Sequence, residues 1–375
     1  MKKNCKRCLF LTNHELDESN GISKKIESQV SAISKLGIAT FLLTYFEVDK
    51  SQVALINGNH FFPLGRKTSR LLYKYHQFYN KLISLICDEN IDCIYIRYTQ
   101  FVDLFFLRFL QKAHKHGCAI FMEIPTYPYD GEFPSNSLKN YIIKWKDRAL
   151  RRYFHYFVDK IVTFSTDKEI FGIPCVNISN AVDDKKIALI EHRPLIKNTI
   201  NMLGVANINF WHGFDRVIEG LRIYYDSHHD YKVKFYIVGD GNSEVGHLLN
   251  ELILLYKLKD VVYMLGPKCG SDLDDIFEMS HITIGSLGSH RKNIIETKTL
   301  KNVEYAMRGL PIVYAEKNND FDKMDFVYKV PADESPIDIK AIVDFVLNNT
   351  FEPTDIRKSV SHLTWNSQME KVFGN

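Results

Sequence analysis

Residues 296–311 read E-T-K-T-L-K-N-V-E-Y-A-M-R-G-L-P, and the rest of the chain is best understood outward from them. Leu300, Val303, Ala306 and Met307 recur at helical spacing, and Gly309-Leu310-Pro311 stops the helix they predict. Ile312 to Ala315 then returns as a strand. A helix starting near Thr299 and Leu300 offers unpaired N–H groups and a partial positive charge, which suits a diphosphate. Glu296 and Glu304 stand across that start with seven residues between them. A carboxylate in either place can accept from two sugar hydroxyls at once, although two solvated glutamates on a helix would look the same.

The alternation continues on both sides. Upstream, strands are expected at Asn201–Val205, Lys232–Val238, Val261–Leu265 and Ile282–Ser286, with helices at Phe214–Tyr225, 243–257 and Ser271–Met279 between them. Val238-Gly239-Asp240-Gly241 follows a strand directly, where glycines let a backbone approach a ligand or simply make a turn. Earlier still, strands at Cys8–Thr12, Ala39–Tyr45, Ile91–Ile96, Ala119–Glu123 and Lys160–Ser165 alternate with helices at Ile22–Lys35, 70–87, 101–116 and 138–157. Continuous apolar strands separated by helices imply parallel sheets covered on both faces. Residues 183–198 interrupt the series with mixed charge and Pro194, and read as a linker. The expected division is therefore an N-terminal domain over 1–190, a second α/β domain over 191–350 and a C-terminal helical segment over 351–375.

Composition agrees with two globular domains: 375 residues, 45% apolar and 25% charged, with Gly 19 and Pro 11. A net charge of +3 gives no concentrated basic stripe, so nucleic acid is not an expected partner. No apolar run reaches the roughly 18 to 20 residues that span a bilayer. The basic start is cut short by Thr12, Asn13 and His14 before a signal peptide's apolar core can form, so a cytoplasmic protein is expected. Seven cysteines, an odd number placed mostly in apolar runs, read as free thiols in a reducing compartment. Cys5-x-x-Cys8 has the spacing of half a zinc or redox motif but no second C-x-x-C, so no metal is expected there. Asp272-Leu273-Asp274 follows Ser271 at a helix start, where acids favour the dipole, and reads as capping rather than metal binding.

Taken in order, these elements resemble the family 4 glycosyltransferases of the GT-B fold, in the bacterial capsular and exopolysaccharide branch. The family's E-x7-E is matched by Glu296 and Glu304, and its small-residue ending by Ala306 to Pro311. Gly204-Val205-Ala206-Asn207, Gly213 at a helix start, I-V-G-D-G at 237–241 and Val262 to Gly266 fall in the family's order. Val176 to Asp183 resembles its segment before the second domain, and W-H-G-F-D-R at 211–216 and E-I-P-T-Y-P-Y-D at 123–130 resemble the polysaccharide branch.

The resemblance implies two Rossmann-like domains facing across a cleft, with a C-terminal helix around Trp365 crossing back to the first. It implies a retaining, metal-independent hexosyltransferase whose nucleotide-diphosphate sugar is a substrate, with no cofactor. The acceptor would be a saccharide, expected to be lipid-linked, in surface polysaccharide synthesis. Glu296 would contact the donor sugar and Glu304 the ribose. Gly213, Gly239, Gly241, Lys298, Thr299 and Leu300 would line the donor, and Gly21 would approach it from the first domain. Glu123 stands where the family often has a histidine, and could bind an acceptor hydroxyl, act as base, or be a solvent-facing acid.

The pattern departs from the family at Asn207 and His212, where it usually has an arginine and a lysine against the diphosphate. Arg216 is the expected substitute, with Lys298 or Arg291 as alternatives; a surface pairing with Asp215 or Glu219 is the other reading of Arg216. The same departure motivates an alternative, a non-catalytic GT-B-fold accessory subunit. Finally, residues 138–153 set Lys144, Arg148 and Arg151 around Trp145. Such a basic amphipathic helix can lie on an anionic leaflet at the inner face of the membrane, or pack its apolar stripe on the sheet.

Overall fold

The computed structural model describes residues 5–17, 21–48, 51–66, 72–99, 102–129, 138–191, 196 and 198–374. The chain divides into two units, Met1–Ser179 with Trp365–Asn375, and Asn180–Thr364.

Unit 1 contains β1 (Arg7–Thr12), α1 (Gly21–Lys35), β2 (Ala39–Val48), β3 (Ser51–Ile56), β4 (Asn59–Arg66), α2 (Leu72–Asp88), β5 (Cys93–Arg97), α3 (Leu104–Lys115), β6 (Ala119–Ile124), α4 (Leu138–Arg151), β7 (Lys160–Thr163), β8 (Glu169–Ile170) and β9 (Ile173–Asn177). Its sheet runs in the order β4-β3-β2-β1-β5-β6-β7-β9-β8. The strands from β2 to β9 by way of β1 are parallel, whereas β3, β4 and β8 pair antiparallel at the two edges.

Unit 2 contains β10 (Thr199–Val205), α5 (Phe214–Tyr225), β11 (Lys232–Val238), α6 (Glu244–Leu255), β12 (Val262–Gly266), α7 (Gly270–Glu278), β13 (Ile282–Ile284), α8 (Leu300–Met307), β14 (Ile312–Tyr314), β15 (Val327–Lys329), α9 (Ile339–Asn348) and α10 (Pro353–Ser359). All its strand pairs are parallel, in the order β12-β11-β10-β13-β14-β15. Both faces are buried: Ile200 and Met202 of β10 join one apolar cluster and Leu203 the other. The order reverses direction between β10 and β13, and the crevice beyond their carboxyl ends is where doubly wound sheets take ligands.

The last helix, α11 (Trp365–Phe373), belongs to unit 1, where Trp365, Gln368, Met369 and Val372 are buried. Gln368 accepts from the Ser179 N–H at 2.8 Å, and the Phe373 ring packs tilted against that of Phe121, centroids 5.1 Å apart.

Two boundaries differ from those expected. Residues 183–191 of the segment read as a linker pack on unit 2, so the division falls at Ser179 rather than near 190. Ile190 is buried in the cluster around Leu310 and donates to the Arg308 carbonyl, and Arg357 bonds the carbonyls of Asp184 and Ile187. The returning element begins at Trp365 rather than 351, because α10 stays with unit 2. Gly309 has φ +87°, and a Cβ on it would lie 2.5 Å from that of Pro353, so only glycine lets α8 end there against α10.

Candidate functional site

The site is built from the loops that leave β10, β11, β13 and β14 of unit 2. Val205 donates to the hydroxyl of buried Tyr305 at 2.9 Å, and the hydroxyl donates back to the Val205 carbonyl at 3.2 Å, so α8 is fixed beside the end of β10. The loops after β10 and β13 are joined: Leu287 N–H donates to the His212 carbonyl and Gly288 N–H to that of Trp211, each at 3.1 Å. Gly213, φ +66°, starts α5 with its Cβ position 2.8 Å from Leu287 Cβ, so this junction requires a glycine. At Gly239 a Cβ would lie 2.0 Å from the Ala206 carbonyl oxygen. That glycine lets two backbones meet at the crevice floor. Gly241 sits in ordinary contact with Met264 and tolerates more.

Around this frame the polar inventory is unusual. Among the described residues, eleven buried side-chain polar atoms lack a hydrogen-bond partner, and seven of them fall on residues 299–302 and 316–318. They are Thr299 Oγ1, Lys301 Nζ, both amide atoms of Asn302, both carboxylate oxygens of Glu316 and Asn318 Nδ2. Each such atom costs about 1–3 kcal/mol when left unpaired, so folds concentrate them only where something else supplies the partners. Glu316 is 2% exposed, and burial pushes its carboxyl well up. Burial pushes the Lys301 ammonium down, with Glu316 opposing that shift. Neither residue stands out in the sequence: Lys301 reads as a polar position of an amphipathic helix, and Glu316 as a loop acid.

His212 accepts a hydrogen bond from the Asn209 N–H on Nδ1 at 3.0 Å. Burial, together with the positive charges of Lys301 and Lys292, holds its ring down at about 2. His212 is therefore neutral with its proton on Nε2, and serves as a donor rather than as a cation. Asn207 is exposed.

Arg216 is not at the crevice surface. It is 1% exposed and donates from Nε to the Ser335 carbonyl at 2.8 Å, and from Nη1 and Nη2 to the carbonyls of Leu287 and Pro331. It ties the loop 331–335 and the loop after β13 to α5, and with four of its five N–H groups so engaged and the side chain 1% exposed it is turned to the interior rather than to a ligand. Arg291, the other arginine considered, is bound bidentate by Asp215 at 2.7 and 3.0 Å and again by Glu334. Lys298 pairs with Asp320 at 3.4 Å.

The two glutamates of the E-x7-E spacing are half-buried. Glu296 accepts from Asn319 Nδ2 at 2.6 Å, and its backbone bridges to Lys317. Glu304 meets Arg308 at 3.4 Å, the i,i+4 position. Thr299 is the N-cap of α8 and Leu300 its first residue, as expected, but the Thr299 hydroxyl makes no cap bond. In α7, Asp272 lies in the first turn, and Asp274 pairs with Arg308 at 2.7 Å.

In unit 1 the expected acceptor residue has a different role. Glu123 is fully buried and takes hydrogen bonds from Tyr95 Oη at 2.6 Å, Gln29 Nε2 at 2.7 Å and Arg97, with Lys25 Nζ at 3.5 Å. Although burial pushes its carboxyl up, Lys25 and Arg97 hold it down at about 2. A carboxylate so tightly held is a poor base. It is the centre of a buried ion network whose far wall is Lys25 over the Phe164 and Trp365 rings. A carboxyl depressed on folding contributes stability above its ordinary value of 4.5, and that contribution is lost as pH falls toward about 2. Unfolding midpoints of the wild type should therefore fall steeply across that window, and those of Glu123→Gln should fall less.

Gly21 is the exposed first residue of α1 with open space at its Cβ position; Glu18 to Asn20 lie outside the described residues. On α4, Tyr141, Ile142 and Trp145 are 64, 54 and 66% exposed, Arg148 is exposed, and Lys144 is partly so. Arg151 turns inward, bonding Asp147 at 3.2 Å and stacking 4.7 Å from the Phe171 ring, so it leaves the expected membrane face. Among the described residues no helix is long and apolar enough to cross a membrane.

No protein-family model matches the sequence, nor does any curated protein. Solved structures do match in fold. A glycosyltransferase from Rickettsia africae superposes with a TM-score of 0.66 at 13% identity, covering 99% of this chain and 97% of that one. HepE of Anabaena, in complex with UDP and glucose, gives 0.63 at 14% identity over 98% and 99%. The lipopolysaccharide outer core galactosyltransferase WaaB gives 0.59 at 12% over 98% and 99%. The chain has the GT-B fold of these enzymes along essentially its whole length.

Proposed function

We propose that the protein is a glycosyltransferase that takes its sugar from a nucleoside-diphosphate donor held at the carboxyl ends of β10 and β13. The observation that carries this reading is the group of unpartnered buried polar atoms on 299–302 and 316–318. A ligand rich in hydroxyls and phosphate oxygens supplies the partners those atoms lack. The fold shared with HepE, which was solved with UDP and glucose, supports the same reading.

The roles then follow from the chemistry. The diphosphate gains negative charge as its bond to the anomeric carbon breaks, so its partners must be donors. Lys301 supplies the positive charge and His212 Nε2–H a neutral donor. The first N–H groups of α8 add the helix terminus, which attracts anions. Glu304 takes the ribose hydroxyls and Glu296 those of the transferred sugar. The acceptor hydroxyl attacks the face the diphosphate leaves, its proton passes to the departing phosphate oxygen, and the anomeric configuration is retained. No metal is assigned a part. Arg216 and Glu123, candidates from the sequence for contact with substrate, each brace the interior of their own unit and are assigned no chemical step.

The donor alone allows a test. With no acceptor present, such enzymes let water in slowly, and proton NMR of the freed sugar reports its first-formed anomer. Among UDP-, GDP- and ADP-sugars, one should be hydrolysed with retention, and Glu304→Ala should slow this by at least about tenfold, the loss of a charged hydrogen bond of about 1.5–3 kcal/mol. Inversion would refute the retaining mechanism, and an unaffected Glu304→Ala would refute the placement of the ribose.

The acceptor belongs to the same proposal: a lipid-linked saccharide in surface polysaccharide synthesis, met at the membrane by α4. Aromatic and aliphatic side chains exposed beside Arg148 are what an anionic interface binds. The protein should cosediment with vesicles containing anionic lipid and not with purely zwitterionic ones. Trp145→Ala together with Arg148→Ala should release it.

A further inference from the structure

The Cys5-x-x-Cys8 spacing gains neighbours that the sequence does not announce. Cys8 of β1 and Cys93 of β5 are register partners in adjacent parallel strands, both fully buried, and the Cys93 thiol donates to the Arg7 carbonyl at 3.6 Å. Cys5 Sγ, Cys93 Sγ and a carboxylate oxygen of Asp92 all lie within 4.8 Å of one another. Two thiols and a carboxylate thus converge at the amino ends of β1 and β5, with Cys8 the register partner of Cys93 on the neighbouring strand. The other four cysteines do not gather in this way among the described residues: Cys87 and Cys269 are exposed, and Cys118 bonds the Ile91 carbonyl at 3.3 Å.

We propose that Cys5, Cys93 and Asp92, with Cys8 alongside, form a binding site for a thiophilic divalent cation, zinc by preference, that fastens the start of β1 to the start of β5. Zinc takes thiolates at about 2.3 Å and carboxylate oxygens at about 2.0–2.2 Å in tetrahedral sets, so donors already within 4.8 Å need shifts of only about an ångström to close on it. The mixed sulfur and carboxylate set disfavours calcium and magnesium, which want oxygen alone. Backbone donors orient Asp92 for coordination. Its oxygens accept from the Lys6 N–H at 2.9 and 3.0 Å and from the Arg7 N–H at 3.0 Å, and this outer shell fixes the carboxylate. Cys5 is only partly buried and gives the ion a way in. The site sits at the opposite ends of the strands from those that face ligands in such sheets, so the ion is structural and takes no part in sugar transfer.

Cobalt(II) tests this directly in the full chain, reduced and freed of metal. One equivalent should produce the near-ultraviolet thiolate-to-cobalt band and the visible bands of a tetrahedral site, and zinc should bleach both. Cys5→Ser and Cys93→Ser should each weaken or abolish the bands, while Cys87→Ser leaves them unchanged. Should Cys93→Ser fail to fold, Cys5→Ser at its half-exposed position still decides the matter. Zinc should also raise the unfolding midpoint of the wild type and not that of Cys5→Ser. A wild type without these bands, bands that survive both substitutions, or a Cys5–Cys93 disulfide forming in place of cobalt uptake would overturn the proposal.

Discussion

Arg216→Ala should lower the unfolding midpoint by on the order of 10 °C, corresponding to roughly 3–5 kcal/mol for removing one partner from a buried charged network. Its guanidinium reaches the carbonyls of Ser335, Leu287 and Pro331 from three nitrogens, with Asp333 at 3.4 Å. Deleting it leaves those carbonyls unpaired in the interior and opens a cavity the size of the largest fully buried side chain. Arg216→Lys should recover little, because one ammonium cannot reach three carbonyls held in a fixed fork. If Arg216 instead met the donor, Arg216→Ala would bind donor poorly while melting like the wild type. Differential scanning calorimetry separates the two outcomes.

Lys301→Met should have the opposite character. Affinity for the preferred nucleoside diphosphate should fall about 10–100-fold, the loss of a charged hydrogen bond of about 1.5–3 kcal/mol, while affinity for the bare nucleoside holds. Stability should hold or rise. Burial lowers the Lys301 pKa, so the unfolded chain binds that proton more readily, and the charge costs folding energy at neutral pH. Glu316, already pushed up by burial, can protonate once the lysine is gone. Function retained at a cost in stability is the signature of a ligand site. Isothermal titration calorimetry against both ligands tests this, and an equal loss for diphosphate and nucleoside would mean that Lys301 acts only by shaping the pocket.

Why the sequence reveals some of this and hides the rest has physical causes. The α/β alternation is legible because buried parallel strands are continuous apolar runs, as at Asn201 to Val205, and helices such as α5 repeat their apolar residues at 3.6 spacing. The β3–β4 hairpin escapes a reading based on that alternation, although Asn57-Gly58, both at positive φ, is the strongest short hairpin signal. Short edge strands such as β8 and β15 carry too few residues for a periodicity to show. In the candidate site, Gly213 and Gly239 can be read because the backbone there excludes a side chain. Arg216 cannot, because its role depends on loop carbonyls at 287, 331 and 335 that only folding brings together. Glu123 misleads for the same reason: its partners Gln29, Tyr95 and Arg97 lie on two other elements, α1 and β5. Lys301 and Glu316 stand out only once burial and missing partners are visible.

We propose that the donor sits on unit 2, at the crevice between β10 and β13. Hydrogen–deuterium exchange with and without UDP, GDP or ADP at millimolar concentration tests it most directly. One nucleotide should slow exchange across 206–213, 237–243, 296–304 and 315–318, leaving the strands of unit 1 unchanged. Protection confined to other segments, or none with any nucleotide, would contradict the account and favour a glycosyltransferase fold retained as a non-catalytic accessory subunit.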